Sequence, residues 1–265
     1  MTRRKLCTAM TIAGSDSGGG AGIQADIKTF AMFGVHGTSA VTCLTDQNPL
    51  KVEGIFPVPS NFVSDQIRTI FNEFSPSAVK TGMLYSKDII VSIIRQLTNY
   101  RRKGKKFYLV VDPVMVSSSG KALLESKAVN ALKELMRIAD VITPNLDEVE
   151  ALLGRKPKNI EEMRLAARAM AIEFESAVLL KGGHLKNCRS AADFLVEGKN
   201  EFLFLSKFLK GNSIHGTGCT MSAAITACLA KGLSLSSSVA DAKEYISNAI
   251  FNYEKVGKHK ILKWQ

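Results

Sequence analysis

Several absences narrow this chain of 265 residues before any other feature is read. No apolar run approaches the roughly 20 residues that a membrane-crossing helix needs, so no such span is expected. The N-terminal "MTRRKLCTAMTIAG" carries no recognisable signal peptide, and a cytoplasmic location is the expectation. The five cysteines (Cys7, Cys43, Cys188, Cys219 and Cys228) form no C-x-x-C pair, which argues against a disulfide framework and a zinc site. No G-x-x-x-x-G-K-[ST] occurs, and a P-loop nucleotide site goes with it. Internal repeats, low-complexity linkers and breaks in composition are missing too, so residues 1–265 read as one domain.

Acidic residues are also in short supply, 24 against 35 Lys and Arg, for a net charge of +11. The cations sit in three separate places: Arg3, Arg4 and Lys5; "RRKGKK" at 101–106; and the tail "KVGKHKILKW". A nucleic-acid reader would gather them on one face with aromatics. "RRKGKK" instead follows a helical pattern, where cations complement the helix dipole. No nucleic acid and no membrane is expected as a partner. The positive balance suits phosphorylated small molecules.

What is present is alternation. Apolar runs "CTAMTIA", "TSAVTCLT", "AVKTGM", "FYLVVDPVM", "DVITP" and "AVLLKGG" are mostly separated by helical patterns. That order predicts a largely parallel sheet covered by helices on both faces. "SAADFLVEG" and "EFLFLSKFL" read as an antiparallel hairpin at one edge. The helical patterns "CTMSAAITACLAKG" and "SSSVADAKEYISNAIFNYEKVG" close the chain. Ligands of such sheets gather beyond the carboxyl ends of the strands. Those places are residues 14–22, 45–48, 80–83, 112–115, 143–148, 181–184 and the turn "GNSIHGTGCT".

Two glycine turns stand out among them. "GAGIQA" at 20–25 satisfies the relaxed dinucleotide signature, with Asp46 at a suitable distance, but tight strand-to-helix packing explains it equally. "HGTGCTMSAAITA" at 215–227 opens a helix, whose free N–H groups and dipole make an anion site. Capping by Thr217 or Thr220 is the plainer alternative. Asp112 ends the strand in "VVDPVM" as a metal carboxylate or a turn residue. In "TPNLDEVE", Asn145 and Glu148 share a helical face; Glu148 is a metal carboxylate or a first-turn charge. Carboxylates beside phosphates commonly hold Mg²⁺. Lys181 in "LLKGGH" reads as an anion ligand, and His184 as a loop residue or a contact.

Together, "TIAGSDSGGGAGIQADIKTF", "VKTGML", "DPVM", "TPNLDEVEALLG", "LLKGGH" and "HGTGCTMSAA" resemble the hydroxymethylpyrimidine/phosphomethylpyrimidine kinases of thiamine synthesis. These belong to the ribokinase-like superfamily, which also contains pyridoxal kinases. The resemblance runs from about residue 8 to about residue 255. It implies a three-layer α/β/α sandwich with a mostly parallel central sheet and an antiparallel edge hairpin. It implies ATP-dependent phosphorylation of 4-amino-5-hydroxymethyl-2-methylpyrimidine and of its monophosphate, with a pyridoxal/pyridoxine kinase as the alternative. ATP and Mg²⁺ are the implied cofactors, a monovalent cation is left open, and a homodimer is the implied assembly.

Carried over by residue, the resemblance implies that Gly14, Asp26, Gln47, Met83 and Val114 line the pyrimidine pocket. Asn145, Lys181 and Thr217 would bind ATP, and Asp112 and Glu148 the metal. Gly216 and Gly218 would form the anion hole, with Cys219 where relatives carry a catalytic Asp. A cysteine at a helix start has a lowered pKa and would accept the hydroxyl proton as a weak base. The monophosphate acceptor is already ionised and needs none. The Gln47 amide would donate to a ring nitrogen and accept from the adjacent amine. "TCLTDQNP" departs from the family's usual "TALTAQNT", and Asp46 adds charge beside the pocket. An oxidoreductase built on "GAGIQA" would leave "HGTGCT" and "LLKGGH" unexplained. A sensor without catalysis would have no use for Asp112, Lys181 and Cys219. Whether residues 116–124 close over substrate is left open.

Overall fold

A computed structural model describes residues 6–117, 120–183, 185, 190–207 and 214–264. Strands β1 (Thr8–Asp16), β2 (His36–Asn48), β3 (Lys51–Pro57), β4 (Ala78–Thr81) and β5 (Tyr108–Val111) come from the first half. β6 (Val141–Ile142), β7 (Ala177–Gly182), β8 (Ser190–Glu197) and β9 (Asn200–Lys207) follow. They form one nine-stranded sheet in the order β3-β2-β1-β4-β5-β6-β7-β8-β9. The inner strands from β2 to β7 pair in parallel, while β2–β3, β7–β8 and β8–β9 are antiparallel.

Among the described residues, eight α-helices cover it: α1 (Gly22–Met32), α2 (Ser60–Glu73), α3 (Lys87–Arg102), α4 (Val129–Arg137), α5 (Leu146–Leu153), α6 (Ile160–Phe174), α7 (Thr217–Ala230) and α8 (Leu235–Phe251). Successive strand residues point to opposite faces. Ala9, Ala78, Val110 and Val141 therefore meet α1, α7 and α8, and Met10, Val79, Val111 and Ile142 meet α2, α3, α4 and α6. The result is three layers, helices against both sheet faces. α7 is apolar on nearly every side, and each residue from Thr220 to Ala230 is buried. It lies under the carboxyl ends of the central strands, where it can only be a core helix.

The edges differ from expectation. The hairpin of β8 and β9 is present, but the opposite edge is also antiparallel. β2 runs on through Asn48, and β3 pairs with it after a turn through Pro49 and Leu50. "KVEGIFP" was not among the expected strands; only its Val52 is buried, as befits an edge strand facing water. β1 likewise continues to Asp16, so Gly14 lies within a strand. α8 stops at Phe251, and the tail turns back as a small hairpin of β10 (Glu254–Val256) and β11 (His259–Ile261). Gly257, at φ +58°, supplies the left-handed residue that its two-residue turn needs.

Candidate functional site

The first glycine turn is organised from within by Asp16. Its Oδ1 accepts the Gly18 N–H at 2.8 Å, and Oδ2 accepts those of Gly20 and Ala21 at 3.0 and 2.8 Å. His215 Nε2 reaches the same Oδ2 at 3.0 Å. Burial pushes this carboxyl up, but the bonds from His215, Ala21 and Gly18 outweigh it and hold it below the usual range. The N–H groups that a dinucleotide phosphate would need at "GAGIQA" already have a carboxylate. At Gly22 and Gly216 the missing side chain lets backbone approach backbone closely. A Cβ on Gly216, whose φ is +88°, would lie 1.7 Å from the Gly20 carbonyl oxygen. The two glycine turns touch.

Beside this turn lies an apolar wall. Cys43, Val52, Met83 and Leu123 pack together with Ile55, Tyr85 and Val114. A Cβ on Gly14 would meet Cys43 Sγ at 2.8 Å and Met83 Sδ at 3.4 Å, so Gly14, Met83 and Val114 do come together. Gln47, near the end of β2, has its amide at 3.1 Å from Thr45 Oγ1 and 3.0 Å from His215 Nε2. Asp26 corrects expectation. It has no exposed surface, and its Oδ2 accepts from Thr11 Oγ1 at 2.6 Å and Lys80 Nζ at 3.0 Å. Lys80 is equally buried; burial opposes its charge, but Asp26, Cys219 and Asp112 outweigh that and hold its pKa above the ordinary value.

The other side of the site is built on β7 and α7. Lys181 Nζ bonds Asp112 Oδ1 at 2.7 Å, Thr143 Oγ1 donates to that oxygen at 3.1 Å, and Ser222 Oγ lies 3.1 Å from Oδ2. Lys181 Nζ also stands 3.4 Å from where a Gly218 Cβ would be, so the ammonium faces the start of α7. That start has Gly216 as its N-cap and no side-chain cap, which removes the capping role weighed for Thr217 and Thr220. Its first-turn N–H groups and the helix dipole therefore point at the ammonium's side of the cleft.

Asn145 and Glu148 have a structural reason for their spacing. They form a capping box: Asn145 Oδ1 accepts from the N–H groups of Asp147 and Glu148, and Glu148 Oε2 accepts from Asn145 N–H. Burial pushes the Glu148 carboxyl up to about 8, with Asp112 adding repulsion and Lys181 opposing both. Two facing carboxylates, one of them resisting ionisation, fit a divalent cation that draws its other ligands from phosphates and water. Among the described residues no three or more His, Cys, Asp or Glu gather to hold a metal alone.

Cys219 corrects expectation as well. At the helix start it sits between Asp26 and Asp112, and burial pushes its thiol up to about 11; Lys80 and the Gly22 N–H pull the other way without reversing it. The thiol is neutral at rest. Asp16, Lys80, His215 and Ser222 are site residues that the motifs did not single out. Lys80 had a signal, a cation inside the wholly buried strand "AVKT". His184 and Cys188, and residues 118–119 of the 116–124 loop, lie outside the described residues.

A mostly parallel sheet between two helical layers, with α7 opening uncapped beneath its carboxyl edge, is the ribokinase-like fold. Its relatives make the assignment finer. Residues 16–263 match the family model described as phosphomethylpyrimidine kinase, and the chain belongs to that family of phosphotransferases. It is 46% identical over 244 residues to the hydroxymethylpyrimidine/phosphomethylpyrimidine kinase of Rhizobium meliloti, covering 91% of this chain and 90% of the relative. It is 44% identical over 252 residues to the thiamine biosynthesis bifunctional protein of Geobacter sulfurreducens, covering 95% of this chain and 50% of that one. The chain thus spans about half the length of the bifunctional relatives it matches. The crystal structure of an ADP complex of Bacillus subtilis pyridoxal kinase superimposes with a TM-score of 0.88 at 35% identity, over 98% of this chain and 97% of that one.

Proposed function

We propose that the protein transfers a phosphoryl group from ATP to the hydroxymethyl group of 4-amino-5-hydroxymethyl-2-methylpyrimidine, and then a second to the resulting monophosphate, in thiamine synthesis. The observation that carries the reading is the open start of α7. It lies beside Lys181 on one side and the first glycine turn on the other, where Gly216 meets the Gly20 carbonyl. Phosphoryl transfer asks a protein mainly to position reactants and neutralise spreading negative charge. The N–H groups at Gly216, Gly218 and Cys219 and the Lys181 ammonium face the transferring group and supply that neutralisation. Thr217 and Asn145 flank the nucleotide phosphates. Asp112 and Glu148 would hold Mg²⁺, which supplies charge neutralisation across the phosphates when bound.

Cys219 faces the acceptor hydroxyl. With its pKa at about 11 the thiolate is a minority species, roughly one part in ten thousand at pH 7, but a strong base once formed. The already ionised monophosphate has no proton to give, so only the alcohol depends on this group.

The same reading takes residues 1–265 as one domain that works as a homodimer in the cytoplasm. Leu44 and Phe56 support the dimer: they are register partners across β2 and β3 and both are exposed, an apolar pair that a second copy would cover. A pyridoxal kinase is the second reading, favoured by the close superposition on the Bacillus subtilis enzyme. Purified protein with Mg·ATP and the aminopyrimidine alcohol, its monophosphate or pyridoxal, assayed for ADP and phosphorylated product, separates them. Turnover on the first two is expected. Turnover on pyridoxal alone moves the assignment to the second reading.

A further inference from the structure

One imidazole nitrogen joins the two halves of the site. His215 Nε2, in the turn before α7, is 3.0 Å from Asp16 Oδ2 and 3.0 Å from the side-chain amide of Gln47. An ionised carboxylate oxygen only accepts, so Nε2 carries the proton in this contact. A protonated Nε2 cannot face an N–H donor at that distance. With no lone pair to offer, Nε2 has the Gln47 carbonyl oxygen beside it, which shares the single proton with Asp16 Oδ2 in a three-centre bond.

The other end gives an independent check. Thr45 Oγ1 is 3.1 Å from the Gln47 amide and 2.9 Å from the Ser15 carbonyl oxygen. A hydroxyl has one proton and the Ser15 carbonyl can only accept, so Thr45 donates there and accepts from Gln47. That end must be the amide nitrogen. Both ends demand one orientation, the reverse of the placement with nitrogen towards His215. Amide oxygen and nitrogen are told apart by such partners.

We propose that His215 is a positioning residue for acceptor specificity: by sharing its single Nε2 proton between Asp16 and the Gln47 carbonyl, with Thr45 accepting from the amide nitrogen, it fixes the order in which Gln47 offers a donor and an acceptor to the substrate ring. This rests on the aminopyrimidine reading of the acceptor. The held amide keeps one free N–H and one free carbonyl lone pair. A ring nitrogen beside an exocyclic amine takes that pair. The deaminated 4-oxo ring presents N–H beside a carbonyl, the reverse order, and meets donor with donor. A freely rotating Gln47 would flip to suit either ring; the anchored one cannot. The anchor converts an adaptable amide into a discriminating one.

The test compares kcat/KM for the 4-amino alcohol and its 4-oxo counterpart in the wild type, His215→Phe and His215→Asn. The wild type is expected to favour the amino ring by about 100-fold, within the range of a good bidentate contact. His215→Phe narrows that ratio about tenfold or more, because the freed amide now serves the oxo ring; His215→Asn, which keeps an N–H donor, restores most of it. A merely structural role lowers both substrates together and leaves the ratio unchanged, which overturns the proposal. Thr45→Val attacks the same chain from its other end and stands in if His215→Phe does not fold, with the same two outcomes. A wild type that phosphorylates neither pyrimidine sinks the functional reading itself, and this proposal with it. A wild type active on the amino alcohol with an unmoved ratio in the variants sinks this proposal alone.

Discussion

The two glycine turns look alike in sequence and do opposite work with their backbone. Each precedes a helix that no side chain caps, and each has a left-handed glycine near its bend, Gly22 in one and Gly216 in the other. At the first, Asp16 folds back and takes three N–H groups, so the turn is a closed, self-satisfied wall. At the second, Lys181 stands beside Gly218 instead of a carboxylate, and the helix start keeps its attraction for anions. A glycine turn before a helix is therefore only a permission. Whether it binds a phosphate depends on what charge the rest of the chain brings to it.

The comparison can be broken in a definite order of severity. Removing the cation from the open turn has the largest expected effect. Lys181→Met should lower kcat about 100- to 1,000-fold, the usual loss when one group stabilising transition-state charge is deleted. Circular dichroism should show the fold retained. An activity within a few-fold of wild type would mean that the helix start works without its ammonium. Next comes the closed turn: Asp16→Ala leaves Gly18, Gly20 and Ala21 without their acceptor and should cost about 2–4 kcal/mol in urea unfolding. Its carboxyl lies below the ordinary range, so the stability it contributes is present above about pH 4 and fades as pH falls further. In the Ala variant that acid-side loss should be smaller.

The smallest effect sharpens the chemistry at the junction. A thiol raised to about 11 should be alkylated slowly at pH 8, with roughly 0.1% thiolate against about a quarter for a free cysteine. Between pH 7 and 10 the rate on the alcohol should climb relative to the rate on the monophosphate, since only the alcohol needs the thiolate. Cys219→Ala should flatten that ratio. Equal pH profiles for both acceptors in the wild type would remove Cys219 from the proton's path.

Much of this arrangement was written locally, and part of it was not. The parallel core announced itself because "CTAMTIA", "FYLVV" and "AVLL" are short apolar runs in which only Tyr108 is exposed. β3 escaped because an edge strand with one buried residue has almost no hydrophobic signature. The capping box of Asn145 and Glu148 was visible as a spacing, while its double duty beside Asp112 needed the fold. Asp26 was misplaced for a physical reason: a buried carboxylate is defined by its cation, and Lys80 lies 54 residues further along the chain. His215 was overlooked for the same reason, its two partners lying on the far side of the molecule in sequence.

That separation carries a consequence for how the molecule comes into being. His215 and Asp16 are 199 residues apart. At about 5–20 residues per second of synthesis, the first turn waits roughly 10–40 s for the second to emerge. During that interval it is not formless, because the bonds from Gly18, Gly20 and Ala21 to Asp16 are all local and can close at once. The carboxylate thus acts as a placeholder on the nascent chain, shaping the first turn early, and the Oδ2 that already holds Gly20 and Ala21 takes the imidazole that arrives last.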